Sequence, residues 1–182
     1  MASGRSSGRP ARTPRDQRTA AERAAQDDRI RAWRAGRRLA LASVFEADFG
    51  QRTAGAILER HLAEEADPDV AELARTIVDG VVAHRDTIDA TIERLAPRYP
   101  VTGMARMDRA LLRSAISEVL HSPATPARVA IAEWVELART YSGEPMRRLM
   151  NGVLGRISRE PRDPAGGPRA GGEPEWPAPT IG

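Results

Sequence analysis

The sequence predicts an all-helical domain flanked by two tails. Between about residues 28 and 158, apolar residues recur at intervals of three and four, which is the period of one buried face of an α-helix. No stretch shows the alternation of apolar and polar residues that is typical of a half-buried strand. Residue pairs that start or break helices separate the periodic stretches. The periodic stretch has the size of one ordinary domain, large enough to bury a helical core.

The two ends of the chain have a different composition. Residues 1–27 are rich in Ser, Gly, Pro, Ala and Arg, and residues 159–182 contain many Pro and Gly. Such segments bury too little apolar surface to offset the entropy of ordering the chain. We therefore expect a disordered basic tail at 1–27, a helical domain at 28–158 and a disordered Pro/Gly-rich tail at 159–182.

The first half of the domain begins with two predicted helices. The first runs from about 28 to 48, and its core face includes Leu41, Val44 and Phe45. The second runs from about 53 to 65. Its apolar stripe consists of Ala54, Ile57, Leu58, His61 and Leu62.

Asp67 and Pro68 form a strong start signal for the third helix, with Asp as the N-cap and Pro at the first helical position. The apolar face of this helix consists of Val70, Leu73, Ala74, Ile77, Val78, Val81 and Val82. Asp86 and Thr87 can then restart the chain into a further helix that ends at Pro97.

The link at 97–103 divides the domain into two helical halves. Thr102 is the expected cap of the next helix. Its apolar positions are Met107, Leu111, Leu112, Ala115, Ile116, Val119 and Leu120. Thr125 and Pro126 repeat the cap-plus-proline signal. The helix after them carries Ile131, Trp134, Val135 and Ala138.

A breaker at 142–145 precedes the last helix, in which Pro145 fits the first turn. Its buried stripe is regular and consists of Met146, Leu149, Met150, Val153, Leu154 and Ile157. Asn151 and Gly152 stand inside this stripe although neither favours a helix. One interpretation is a close helix approach at Gly152, and the other is tolerated packing.

The composition excludes several classes of function. The chain has no cysteine, which excludes disulfides, thiolate metal sites and cysteine nucleophiles. Its three histidines have no metal-ligand spacing, and no glycine-rich phosphate loop follows a strand pattern. We therefore expect neither catalysis nor a cofactor. No run of 18 apolar residues exists, and the N-terminus lacks the apolar region of a secretory signal, so the cytoplasm is the expected location.

Positive charge is concentrated near the N-terminus. Residues 1–38 hold eleven arginines against four acidic residues, a net charge of +7, whereas residues 39–182 hold seventeen arginines against twenty-one acidic residues, a net charge of −4. The chain has no lysine, so the choice of arginine can reflect genome composition. The asymmetry concerns position rather than residue type, and it indicates a basic arm for a polyanion.

A cluster of arginines lies where the basic arm meets the first helix. At the helical period, Arg31, Arg34 and Arg38 share one side, and Arg37 borders it. Arginine binds phosphate with paired hydrogen bonds and stacks on bases. The cluster therefore predicts an RNA-binding surface, with a solvated basic face as the alternative interpretation.

The segment AIAEWVELARTYSGEPMRRLMNGVL, residues 130–154, carries a family resemblance. It resembles the C-terminal signature of the NusB family of bacterial transcription antitermination factors, which reads roughly VAINEAVELAK.FS....FVNGVL. Weaker similarity extends back to about Arg34 through residues 37–45 and 107–119. The resemblance implies an all-α bundle of two packed three-helix subdomains.

The same resemblance implies roles for particular residues. An arginine-rich RNA-binding motif of the family falls on Arg34, Arg37 and Arg38, although this chain has Ala35 and Gly36 where the family more often has Arg and Ala. The motif is therefore thinner here than in the family.

Four further candidate residues come from the same comparison. Phe45 stands where the family commonly has Tyr, and it can stack on a base or pack in the core. Asp108 and Glu118 lie on the helix that helps to form the surface for a protein partner. Arg156 stands where the family often has Asp, and we count it among the candidate RNA contacts.

The resemblance implies a non-enzymatic antitermination factor. Such a factor pairs with the ribosomal protein NusE, and the pair binds single-stranded boxA RNA in ribosomal RNA operon leaders. Together with other Nus factors on RNA polymerase, it suppresses termination. One alternative is a detached NusB-like domain of a ribosomal RNA methyltransferase, whose cysteine nucleophile and cofactor domain this chain lacks. The other is a protein-only helical module that docks a partner or forms a homodimer.

Overall fold

The computed structural model describes residues 19–65 and 67–160. Within these residues the chain forms six α-helices, one short 3-10 helix at Val101–Gly103, and no strand. The helices are α1 (Ala20–Ala47), α2 (Ala54–Leu62), α3 (Pro68–Leu95), α4 (Arg106–His121), α5 (Ala127–Tyr141) and α6 (Glu144–Ile157). The all-helical fold predicted from the sequence is confirmed.

Helix α4 lies at the centre of the molecule. Every residue from Ala110 to Val119 is buried, so this helix is covered on all sides rather than along one stripe. Helices α1 and α3 pack on it from the first half of the chain, and α5 and α6 pack on it from the second. Apolar side chains from all six helices therefore join in one core.

The two halves of the chain each contribute three helices to this core. Helices α1, α2 and α3 contact one another before the link, and α4, α5 and α6 contact one another after it. The contact between α3 and α4 joins the halves, with additional packing of α1 on α4. This is the pair of packed three-helix subdomains that the resemblance implied.

Helix α1 begins eight residues earlier than the predicted Asp28. The Thr19 hydroxyl accepts from the Glu22 backbone N–H at 3.2 Å, and the Glu22 carboxylate accepts from the Thr19 N–H at 2.6 Å, which forms a capping box. Part of the predicted N-terminal tail is therefore helical. The remainder, residues 1–18, lies outside the described residues, as does 161–182 of the predicted C-terminal tail.

Helix α3 contains a kink close to the point where a new helix was predicted. Asp67 caps it as expected, because its carboxylate accepts from the Asp69 N–H at 2.9 Å. At His84 the φ and ψ angles of −121° and 20° are not helical, so α3 consists of two helical segments that meet at a kink, two residues before the restart predicted at Asp86. The His84 ring stacks on His121 at 3.9 Å, at the C-terminal end of α4.

The two threonine caps predicted in the second half are wrong. Helix α4 begins at Arg106 after Ala105, which has no side-chain cap, and Thr102 lies in the preceding 3-10 turn. Helix α5 follows Pro126 directly, so Thr125 lies one residue too early to cap it and is buried instead. Both starts therefore lack the side-chain hydrogen bond that the sequence pattern predicted.

Close helix packing uses glycines other than the predicted one. Gly152 is exposed, and a Cβ there would have open space, so of the two interpretations the close helix approach is wrong and tolerated packing remains. Gly36 lies against α3, where a Cβ would come within 2.9 Å of the Val70 carbonyl oxygen. Gly80 lies against α4, where a Cβ would overlap the Ser117 hydroxyl. That hydroxyl donates to the Ile77 carbonyl at 2.8 Å.

No helix in the described part of the chain has both the length and the apolar character needed to cross a membrane.

The glycine contacts generate a stability prediction. Gly36→Ala should destabilise the fold by about 1–3 kcal/mol, because the added methyl meets backbone that cannot move without displacing α3. Gly152→Ala makes the same chemical change at an open helical position and should stabilise the fold by about 1 kcal/mol. Urea denaturation midpoints measure both. Equal shifts in the two variants would contradict the assignment of Gly36 to the helix contact.

Candidate nucleic-acid interface

The N-terminal part of α1 projects beyond the body of the protein. Every residue from Thr19 to Arg31 is exposed. Its three arginines are balanced by three acidic residues, and Arg31 forms an ion pair with Asp28. The exposed segment 19–31 therefore has no net charge, although the sequence gives residues 1–38 a net charge of +7.

Arg37 and Glu118 form an ion pair in the core. The Arg37 Nε donates to Glu118 Oε2 at 2.9 Å, and its second guanidinium nitrogen donates to Oε1 at 2.7 Å. The side chains are 2% and 0% exposed. Arg37 was predicted to meet RNA, and Glu118 to meet a protein partner. The structure corrects both predictions, because each role requires an exposed charge and these charges are enclosed by α1, α4 and α5.

Trp134 completes this buried group. Its indole Nε1 donates to Glu118 Oε2 at 2.7 Å, so that oxygen accepts from two helices. A buried ion pair stabilises a fold only when its remaining hydrogen-bonding groups are also satisfied. The Arg37–Glu118–Trp134 network therefore fastens α1 to α4 and α5.

Arg34 and Arg38 flank a groove between α1 and α5, with a volume of about 600 Å³. We call it the α1–α5 groove. Its lining residues are Arg34, Arg37, Arg38, Ala132, Glu133, Glu136, Leu137, Thr140 and Tyr141. Arg38 is exposed and makes no ion pair within the described residues. The structure thus brings Arg34 and Arg38, two of the five arginines predicted to contact RNA, to one open surface.

Arg34 is held in place by the opposite wall of the groove. Its Nε lies 2.9 Å from Glu133 Oε2, and its terminal nitrogen lies 2.9 Å from Oε1. These hydrogen bonds, with the attraction of the Glu133 charge, raise the pKa of the Arg34 guanidinium above its ordinary value. The Arg34 side chain remains 54% exposed, so it stays accessible to an incoming anion.

Phe45 lies partly buried against the core. Its ring makes an edge-to-face contact with Phe49, with centroids 5.4 Å apart. Phe49 is 53% exposed, and the guanidinium of Arg106 lies 4.7 Å from its ring centroid. The aromatic surface open to a ligand at this end of α1 therefore belongs mainly to Phe49.

Arg156 lies apart from the groove. Its guanidinium donates to the Leu95 carbonyl at 3.1 Å, at the C-terminal end of α3. A positive charge is favourable at that end of a helix. The contact gives Arg156 a structural role that the sequence did not indicate, and its proposed contact with RNA stays a prediction.

Asp108 lies on the rim of a second cavity, of about 430 Å³, between the 97–103 link and α6. It is half-buried and accepts a hydrogen bond from the Ser142 hydroxyl. The cavity also exposes Tyr99, which is 53% accessible. Asp108 is thus accessible to a protein partner, unlike Glu118.

A second, largely buried group of ion pairs lies close to Asp108 on α4. Arg113 donates to Asp89 at 2.7 and 2.8 Å and to Asp48 at 3.2 Å, and Arg109 donates to Asp48 at 2.6 Å. Burial lowers the pKa of Arg113, but Asp89 and Asp48 raise it more, so the net shift is upward. These contacts tie α4 to the end of α1 and to α3.

The sequence analysis did not identify the residues of α5 that form one wall of the α1–α5 groove. Glu133, Glu136, Leu137 and Thr140 lie at helical spacing and share one face of α5. That spacing is visible in the sequence, but it does not show that α1 lies opposite. Tyr141, which is 45% exposed, was missed for the same reason.

Known proteins resemble this chain in both sequence and fold. The family model described as "NusB family" matches residues 34–159. The transcription antitermination protein NusB of Symbiobacterium thermophilum is 37% identical over 146 residues, which cover 75% of this chain and 95% of that protein. The chain belongs to the NusB family. The same protein of Heliobacterium modesticaldum is 40% identical over 135 residues, and there the chain spans only 65% of the relative's length.

Solved structures of NusB proteins share this fold. The T. maritima NusB structure has a TM-score of 0.65 and 30% identity, and the match covers 70% of this chain and 91% of that one. A crystal structure of the antitermination factors NusB and NusE in complex with double-stranded RNA has a TM-score of 0.62 and 23% identity, with coverage of 70% and 96%. At that identity, the second likeness shows the fold alone.

The buried network generates a second prediction. Arg37→Met should destabilise the fold by about 3–5 kcal/mol, because it leaves the Glu118 charge buried without its partner. The double variant Arg37→Met/Glu118→Gln should lose less, since it leaves no buried charge and the Gln oxygen can still accept from Trp134. Chemical denaturation of the single and double variants measures the difference.

Arg34→Met is the control, because its ion pair is half-exposed and should contribute less than about 1 kcal/mol. A double variant as unstable as Arg37→Met would show that the loss comes from packing rather than from the unpaired charge.

Proposed function

We propose that this chain is a transcription antitermination factor that binds boxA-type single-stranded RNA of ribosomal RNA operon leaders together with NusE. In this proposal it works in the cytoplasm with other Nus factors on RNA polymerase, and it acts by binding rather than by catalysis. Membership of the NusB family supports the overall role. The α1–α5 groove, with the exposed arginine Arg38 beside Arg34, carries the RNA-binding part.

The position of the groove fits an RNA strand. Arg34 and Arg38 lie one turn apart on α1, so successive phosphates can run along that rim. The N-terminal turns of α1 project from the same rim and carry Arg31. Phosphate contacts supply affinity and orientation, whereas contacts to bases supply the choice of sequence. The α1 rim accordingly serves affinity.

NusE binding is proposed at the second cavity, which lies next to the α1–α5 groove at the C-terminal end of α5. Asp108 and Tyr99 line an open cavity there, and the exposed Phe49 with Arg106 lies at the nearby start of α4. Exposed aromatic side chains and arginine are enriched at protein interfaces. RNA and NusE would then occupy neighbouring cavities, one lined by Tyr141 and the other by Ser142.

Salt dependence tests the RNA-binding role of the groove. Arg34→Ala/Arg38→Ala should weaken binding of a boxA-like RNA and flatten the slope of log affinity against log salt by about 1.4, because each lost phosphate contact removes about 0.7 for a single strand. Arg37 is left unchanged in this variant, because its side chain is buried and pairs with Glu118. Circular dichroism should show unchanged helicity, and addition of NusE should restore part of the lost affinity.

A matched control removes the same charge elsewhere. Arg52→Ala/Arg85→Ala changes two exposed arginines outside both the α1–α5 groove and the second cavity and should leave the slope unchanged. If the groove variant kept the wild-type affinity and slope, the arginines would form only a solvated face. The alternative of a protein-only interaction module would then replace this proposal.

A further inference from the structure

The two walls of the α1–α5 groove carry opposite charges. Arg34 and Arg38 lie on the α1 side, and Glu133 and Glu136 lie on the α5 side. Carboxylates repel phosphate, so an RNA backbone fits the α1 rim and not the α5 wall. The volume of about 600 Å³ lies within the range of sites that hold small ligands, and it can admit a base turned away from the backbone.

The two glutamates differ in their freedom to bind. Both oxygens of Glu133 are occupied by Arg34. Within the described residues, Glu136 forms an ion pair only with Arg139, three residues along the same helix, and the two side chains are 60% and 59% exposed. An exposed pair of this kind contributes little and exchanges readily for another donor.

Glu136 is also in the right ionisation state to accept hydrogen bonds. The hydrogen bond from Arg139 is the main reason that the pKa of Glu136 lies below its ordinary value. The ionised carboxylate has two oxygens that accept and no group that donates.

Tyr141 supplies an aromatic face at the end of the same groove. Its side chain is 45% exposed and lines the groove with Thr140 and Glu136. Aromatic side chains stack on unpaired RNA bases with little preference for sequence. A base stacked there would present its edge to the α5 wall.

We propose that the α1–α5 groove holds one unstacked guanine of a single-stranded RNA, with Tyr141 against its face and Glu136 accepting from its N1–H and its exocyclic amino group. This assignment rests on the proposed RNA-binding function. Guanine presents two adjacent donors on its Watson–Crick edge, which match the two carboxylate oxygens. Adenine and cytosine present one amino donor beside an acceptor nitrogen, and uracil presents one donor between two acceptors.

The test compares strands that differ in one base. Binding is measured for a short oligouridine and for the same strand with a single guanosine, inosine or adenosine at its centre. Inosine lacks the exocyclic amino group but keeps N1–H. The wild-type protein should bind the guanosine strand about tenfold more tightly than the inosine and uridine strands, as expected for a paired contact to a base.

The Glu136→Gln variant should bring the ratio of guanosine to inosine affinity close to one, because one carboxylate acceptor becomes a donor. Glu93→Gln is the matched control: it removes the same charge at an exposed position on α3 outside the groove, so it should keep the wild-type ratio. Arg139→Ala leaves the Glu136 carboxylate intact and should also keep it. Tyr141→Ala should weaken all strands alike and leave the ratio unchanged.

Each contrary result has a separate meaning. An unchanged ratio in Glu136→Gln, or no guanosine preference in the wild type, would overturn the guanine site. The proposed RNA-binding function would survive if oligouridine still bound with a salt slope that depends on Arg34 and Arg38. If neither the chain alone nor the chain with NusE bound any strand, the guanine site and the proposed RNA-binding function would both be wrong. Weaker NusE binding in Glu136→Gln with unchanged RNA selection would assign the groove to the protein partner instead.

Discussion

The ion pair between Arg37 and Glu118 is the contact on which the rest of the structure depends. It joins residues 81 positions apart in the chain and lies where both halves of the domain meet on α4. Loss of either charge would leave the other buried without a counter-ion, which is far more costly than loss of a surface pair. Trp134 shares the same carboxylate. The network therefore fixes the rotation of α1 and α5 about the central helix.

That rotation also shapes the outer surface. With Arg37 turned inward, the helical period carries Arg34 and Arg38 to the edges of the buried face, on the rim of the α1–α5 groove. With Trp134 turned inward, its neighbour Glu133 faces Arg34 across the groove. The separation of the two walls is thus set by a contact in the core. The Arg37–Glu118–Trp134 network that stabilises the fold therefore also positions the side chains on the two walls of the groove.

The sequence predicted the helices well but not the partners of their charged residues. Periodicity and capping patterns are local, so they identified the helices, the break near His84 and the Asp67 cap. The early start of α1 was readable from Thr19 and Glu22, which are three residues apart. By contrast, the burial of Arg37 and Glu118 depends on how distant helices pack. A charged residue beside an apolar stripe looks solvated until the helix that covers it is known, and α4 is covered on every side.

The α1–α5 groove has arginines on one wall and glutamates on the other, so its two walls can contribute separately to affinity and to specificity. A groove lined only with arginine would hold any RNA strand by its phosphates, because that attraction does not depend on sequence. The carboxylates of Glu133 and Glu136 weaken this general attraction on one wall. A strand gains there only if it offers hydrogen-bond donors, and a strand without them meets repulsion. Specificity is a difference between affinities, and a repulsive wall increases that difference without tightening the preferred complex.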